Sequence, residues 1–205
     1  MKKLLILALI AIISYFAHSY FTDSNNDWKI INAKPSGETI VAFGDSLTAG
    51  YGVSNTDNYP AQLSRLIDEP VINMGISGET TAQALARINT VVAKDPKIVL
   101  ITLGANDLKK KIPAQKAFSN LKKIVDIFHQ HGALVVILGI DIPYFSNDYA
   151  DDYIKFAKEY GCLLVPNILN GLFGHSDLMV DTVHPNAKGY KIIANEIYPI
   201  IEEYL

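Results

Sequence analysis

Four short stretches carry side chains from which an acyl-transfer site could be assembled: Gly44-Asp45-Ser46-Leu47, Ser77-Gly78-Glu79-Thr80, Gly104-Ala105-Asn106-Asp107 and Asp181-Thr182-Val183-His184. The first offers a hydroxyl. The fourth offers an imidazole, with a carboxylate three residues before it. A serine hydroxyl is a poor nucleophile until a base accepts its proton, so Ser46 needs a histidine in reach, and that histidine needs an acceptor to fix its tautomer. His184 with Asp181 meets both needs from one loop. Attack on a carbonyl also puts negative charge on oxygen, which needs preorganised donors. The backbone N–H of Ser46, the backbone N–H of Gly78 and the side-chain amide of Asn106 are the three donors these stretches supply.

Each stretch has an ordinary explanation when taken alone. Ser46 or Asp45 caps a helix, Gly78 makes a turn, Asn106 makes an Asx turn, and Asp181 to Asn186 turns into a helix capped by Asn186. The other histidines have simpler roles than His184. His18 lies in the amino-terminal apolar run, His129 and His131 end a helix just before Gly132 and are expected to face solvent there, and no motif leads to His175.

The elements that must position these groups follow from the pattern of residues. Short β-branched or apolar runs at 39–43, 71–74, 98–103, 134–138 and 163–165 predict five strands. Amphipathic stretches at 59–67, 81–92, 113–130, 149–160 and 187–204 predict the helices between and after them, with Gly132 and Gly161 at helix ends. Alternating strands and helices make an α/β fold around a parallel sheet. Right-handed crossovers then bring every strand's carboxyl end to one edge, where ligands bind. Ser46, Gly78 and Asn106 each follow a predicted strand within a few residues, so all three reach that rim.

Composition narrows the function further. At 205 residues the chain has room for one sizeable core. A net charge of −3 gives no footprint for nucleic acid. The single cysteine, Cys162, sits in an apolar run and is expected to be a buried, inert thiol. Lys2-Lys3 before an uncharged apolar run has the layout of an export signal, with Ala17-His18-Ser19 as a cleavage site. Extended to Thr22, the same run is long enough to anchor the chain in a membrane. Residues 1–22 are therefore expected to be a signal peptide or anchor that associates through 4–22 with the membrane, 23–37 a linker, and 38–205 the catalytic domain. The protein is expected to be periplasmic or secreted, or held at the membrane.

Taken together, Gly44-Asp45-Ser46-Leu47, Gly78 in Ile76-Ser77-Gly78-Glu79-Thr80, Gly104-x-Asn106-Asp107 and Asp181-x-x-His184 resemble the four sequence blocks of the SGNH, or GDSL, hydrolases. Gly-Asp-Ser-Leu-x-Ala-Gly-Tyr and His-Pro-Asn are most similar to the small bacterial periplasmic thioesterase, lysophospholipase and arylesterase group. The resemblance implies a flavodoxin-like three-layer α/β/α sandwich with a five-stranded parallel sheet. It implies Ser46 as nucleophile, His184 as base, Asp181 as its partner, and Ser46, Gly78 and Asn106 as the oxyanion hole. It implies no metal or organic cofactor, and a small-molecule ester or lipid as substrate. One departure is Leu108, where that group has glycine, and it is expected to add apolar bulk beside the carbonyl site. The aromatic stretch after Asp141, including Tyr144 and Phe145, is a further candidate for an acyl groove.

A serine esterase forming an acyl-Ser46 intermediate is thus the leading expectation. A carbohydrate O-deacetylase shares the chemistry. A non-catalytic flavodoxin-like module holding a phosphate or flavin, and a metal phosphoesterase using Asp45, Asp107, Asp181 and His184, are the readings from other classes.

Overall fold

The computed structural model describes residues 27–141 and 149–205. The strands are β1 (Thr39–Gly44), β2 (Val71–Gly75), β3 (Pro96–Thr102), β4 (Leu134–Leu138) and β5 (Leu163–Val165). They form one parallel sheet in the order β2-β1-β3-β4-β5. This is the flavodoxin-like order, with its topological switch point between β1 and β3. Ser46 follows one of those strands and Asn106 the other.

The strands read as unbroken apolar runs because both faces are buried. Successive residues split between the faces: Ile40, Ala42, Ile98 and Leu100 go to one, Val41, Phe43, Val99 and Ile101 to the other. Helices α2 (Tyr59–Ile67) and α8 (Ala187–Ile201) cover the first face with Tyr59, Leu63, Tyr190, Ile193 and Ile197. Helices α3 (Thr81–Ala86), α4 (Ile88–Val92), α6 (Ala114–Gln130) and α7 (Tyr149–Tyr160) cover the second. Two one-turn helices at the carboxyl edge, α1 (Ser46–Ala49) and α5 (Ala105–Lys109), complete the three layers. Burying a Leu, Ile or Phe side chain contributes roughly 1.5–3 kcal/mol, so α6, which buries Leu121, Ile124, Val125 and Phe128, is a major anchor of its layer. Ile124→Ala there would cost about 2–5 kcal/mol.

The expected elements form within a residue or two of their expected bounds, with two changes. The stretch 81–92 divides at Arg87, and 187–204 ends in a short 3-10 turn, Glu202–Tyr204. Gly132 and Gly161 take left-handed φ values of 80° and 65° at the ends of α6 and α7. Cys162 is buried, and burial pushes its thiol well up. Part of the expected linker is laid against the domain. Trp28 Nε1 donates to the Cys162 carbonyl at 2.9 Å, the Ile31 N–H to the Gly161 carbonyl, and Asn32 Nδ2 to the carbonyls of His129 and Ala133. The apolar run 4–22 and the residues Ile142 to Phe145 lie outside the described residues.

Candidate active site

Gly44 closes β1 because the chain is crowded there. A Cβ at this position would meet the Thr102 carbonyl at the end of β3. Asp45 then caps α1, its Oδ1 accepting from the Leu47 N–H at 3.0 Å, and Ser46 becomes the first helical residue. Gly50 ends the helix in the left-handed conformation, with φ of 85°. The capping role expected for Asp45 therefore leaves the Ser46 hydroxyl free for the role expected of it. Amides in the first turn of a helix lack intrahelical acceptors, which leaves the Ser46 N–H able to donate to a bound oxygen.

The imidazole of His184 arrives on a loop closed upon itself. Val180 N–H donates to the His184 carbonyl at 2.8 Å, and Met179 bridges Pro185. Asp181 Oδ1 accepts the backbone N–H groups of Val183 and His184, both at 2.8 Å, so the carboxylate is held before it touches the ring. Asn186 caps α8 through the Lys188 and Gly189 N–H groups. From this loop His184 Nε2 lies 2.9 Å from Ser46 Oγ, and Nδ1 lies 2.8 Å from Asp181 Oδ2. A carboxylate can only accept, so Nδ1 carries the proton and Nε2 is the acceptor for the serine hydroxyl. Partial desolvation works to raise the Asp181 carboxyl, but the Val183 N–H and the two His184 contacts hold it below its ordinary range. Tyr51, half exposed, stacks on the imidazole with ring centroids 4.4 Å apart.

Asn106 stands on α5 beside this line. Its Nδ2 donates to Asp45 Oδ2 at 2.9 Å and to the Glu79 carbonyl at 3.1 Å. Both neighbours are acceptors, so the amide nitrogen must face them. Asp45 is buried, and desolvation, with the nearby Glu79 charge adding to it, raises its carboxyl to about 7 against the bonds from Leu47 and Asn106. Gly78 has φ of 81°, a conformation that favours glycine, and open space where a Cβ would stand. Lys110 Nζ donates to the Gly78 carbonyl at 3.2 Å.

The structure thus brings Ser46, Asp181 and His184 into one line and sets Asn106 beside Asp45, the residue that precedes Ser46. It does not bring Asp107 there. Buried Asp107 accepts from Thr81 N–H and Thr81 Oγ1 at 2.9 and 2.7 Å, pinning α3 to α5. Among the described residues no three His, Cys, Asp or Glu side chains gather as a metal site would require. Leu108, two residues beyond Asn106 and so about 200° further around the helix, is half-buried and packs on the apolar cluster of the second face. His129 corrects an expectation: it is half-buried rather than facing solvent, and desolvation lowers its pKa. His175 is exposed. Sequence reasoning missed Tyr51, the bond between Asp45 and Asn106, and the side-chain roles of Glu79 and Arg87. Only the aromatic six residues after Asp45 could have hinted at the first.

A hydroxyl, imidazole and carboxylate in sequence at the switch point of a flavodoxin-like sheet define the class of serine-dependent acyl hydrolases. The chain belongs to the GDSL-like Lipase/Acylhydrolase family, whose profile matches residues 42–192. It is 32% identical to Esterase TesA of Pseudomonas aeruginosa over 86% of this chain and 94% of that one. It is 29% identical to Thioesterase 1/protease 1/lysophospholipase L1 of Escherichia coli (strain K12), over 77% and 80%. The crystal structure of TesA superposes with a TM-score of 0.77 at 28% identity, covering 82% of this chain and all of the other. The protein is a hydrolase of ester bonds.

Proposed function

We propose that Ser46 is the nucleophile of this esterase, His184 its general base and Asp181 the group that orients the base. The contact that carries the reading is Ser46 Oγ to His184 Nε2 at 2.9 Å, continued by Nδ1 to Asp181 at 2.8 Å. In the first half-reaction His184 Nε2 takes the hydroxyl proton as Oγ bonds to the ester carbonyl carbon. The carbonyl oxygen becomes an oxyanion, received by the N–H groups of Ser46 and Gly78 and by the Asn106 amide. Asn106 supplies its hydrogen by sharing with the oxyanion the one in the longer of its two bonds, so that the Glu79 carbonyl continues to hold the amide. The imidazolium, stabilised by Asp181, returns the proton to the leaving alcohol or thiol as its bond to carbon breaks. Water then loses a proton to His184 and attacks the acyl-Ser46 carbonyl carbon, and the imidazolium returns that proton to Ser46 Oγ as its bond to the acyl carbon breaks and the acid leaves.

The esterase, thioesterase and lysophospholipase names of the relatives support esters, thioesters and lysophospholipids as the substrates to test. Hydrolysis of p-nitrophenyl esters from acetyl to long-chain acyl is the direct assay. Ser46→Ala and His184→Ala are each expected to remove nearly all turnover, and a preference for acetyl alone would favour an O-deacetylase. Chelators are expected to leave the rate unchanged, whereas a metal phosphoesterase would lose it. The export reading of residues 1–22 is tested separately, by the mass of the mature amino terminus and by cell fractionation.

A further inference from the structure

Arg87 is occupied by groups from three parts of the site's scaffold. Its Nε donates to Glu79 Oε1 at 2.6 Å, and its Nη2 to Glu79 Oε2 at 2.5 Å and to the Met74 carbonyl near the end of β2 at 2.7 Å. The guanidinium also lies 4.6 Å over the ring of Phe43 on β1, two residues before the cap that leads into Ser46. Glu79 is 5% exposed, and its backbone carbonyl accepts the Asn106 amide. One cation therefore links the strand leading to Ser46, the loop bearing Gly78 and, through Glu79, the amide of Asn106.

Gly78 is bound directly by Lys110, whose Nζ donates to its carbonyl at 3.2 Å, and its turn is closed by the Glu79 N–H on the Ile76 carbonyl at 3.2 Å. Its left-handed backbone, with φ of 81°, leads into two residues that are themselves held. Those residues are Glu79, held by Arg87, and Thr80, held in a capping box with Gln83. Arg87 moreover interrupts the amphipathic helix expected over 81–92, with φ of −109° and ψ of 12°, and Thr90 Oγ1 donates to its carbonyl at 2.7 Å. A bidentate guanidinium–carboxylate pair with a third bond to backbone fixes orientation in a way that a lysine cannot.

We infer that Arg87 and Glu79 are positioning residues, a partly buried ion pair whose task is to hold the Gly78 loop and the Asn106 amide as oxyanion donors. The inference rests on the proposed roles of Ser46, Gly78 and Asn106. It is tested with the full chain and a p-nitrophenyl ester. Misplacing a catalytic donor by about 1 Å can cost on the order of 10²-fold. Arg87→Lys is accordingly expected to lower kcat about 10-fold or more, with KM within about 2-fold. Lys97→Ala, which breaks the Lys97–Glu69 ion pair at the opposite edge of the sheet, is expected to leave kcat unchanged.

The decisive arm is a double-mutant cycle, because residues acting through one another are non-additive. In an Asn106→Ala background, Arg87→Lys is expected to lower kcat by less than about 3-fold. The same loss in both backgrounds, or a wild-type kcat in Arg87→Lys, overturns the inference. If Arg87→Lys does not fold, as judged by circular dichroism and thermal melting, Glu79→Gln enters the same cycle with the same criteria. Full activity in Ser46→Ala would instead sink the underlying esterase mechanism, so the two failures are distinguishable.

Discussion

Asn106 is held between two acceptors, and that makes it the residue on which the geometry speaks most clearly. Removing a side-chain oxyanion donor costs on the order of 10²–10³-fold in kcat, so Asn106→Ala should lose about that much with a small change in KM. A mainly raised KM in steady-state kinetics would mean that Asn106 binds the ground state instead. His175→Ala should lose little, since that exposed side chain lies outside the line from Ser46 to Asp181. The proposed nucleophile and base were legible as candidates because each carries a local signature, a small-residue turn after a strand or a carboxylate three residues before an imidazole. The Asp45–Asn106 bond and the Tyr51–His184 stack were not, since they join residues far apart in sequence and need the fold to meet.

Strand ends and their glycines set the position of α1. A Cβ on Gly75 would run into the backbone of Thr48 and Ala49, displacing the helix that begins with Ser46. Gly75→Ala is therefore expected to lower both the melting temperature and kcat. Gly171→Ala is the contrast: it has open space but a φ of 69°. It should cost about 1 kcal/mol in denaturant unfolding and leave kcat alone. The strands could be read from apolar runs because parallel strands are buried on both faces. The break between α3 and α4 could not. Periodicity continues through Arg87, and only its bonds to Glu79 and Met74, together with Thr90 on its carbonyl, explain why the helix stops.

At the scale of the whole domain, two carboxyls raised above the usual range shape its response between pH 4 and 8. Glu196 on α8 is half-buried, and desolvation raises it to about 7. A carboxyl raised by folding contributes stability that is full below the unfolded value of about 4 and lost as pH climbs through 7. Glu196→Gln should therefore raise the melting temperature by a few degrees at pH 8 and leave it unchanged at pH 4; the reverse order would contradict the assignment. Asp45 pulls in the same direction over the same window, so the wild-type domain should be more stable near pH 5 than pH 8 as far as these two groups decide it. The parallel sheet followed from alternation and handedness, its flavodoxin-like character from the family resemblance, and the ester-directed chemistry from four motifs meeting on one rim.

That chemistry requires a covalent bond to one named oxygen. The protein mixed with p-nitrophenyl acetate and quenched in acid within the first turnover should release a burst of about one p-nitrophenolate per chain and gain one acetyl group, which peptide mass spectrometry places on Ser46. Ser46→Ala should show neither burst nor adduct. An unmodified Ser46 peptide at the height of the burst, or wild-type turnover by Ser46→Ala, would contradict the mechanism.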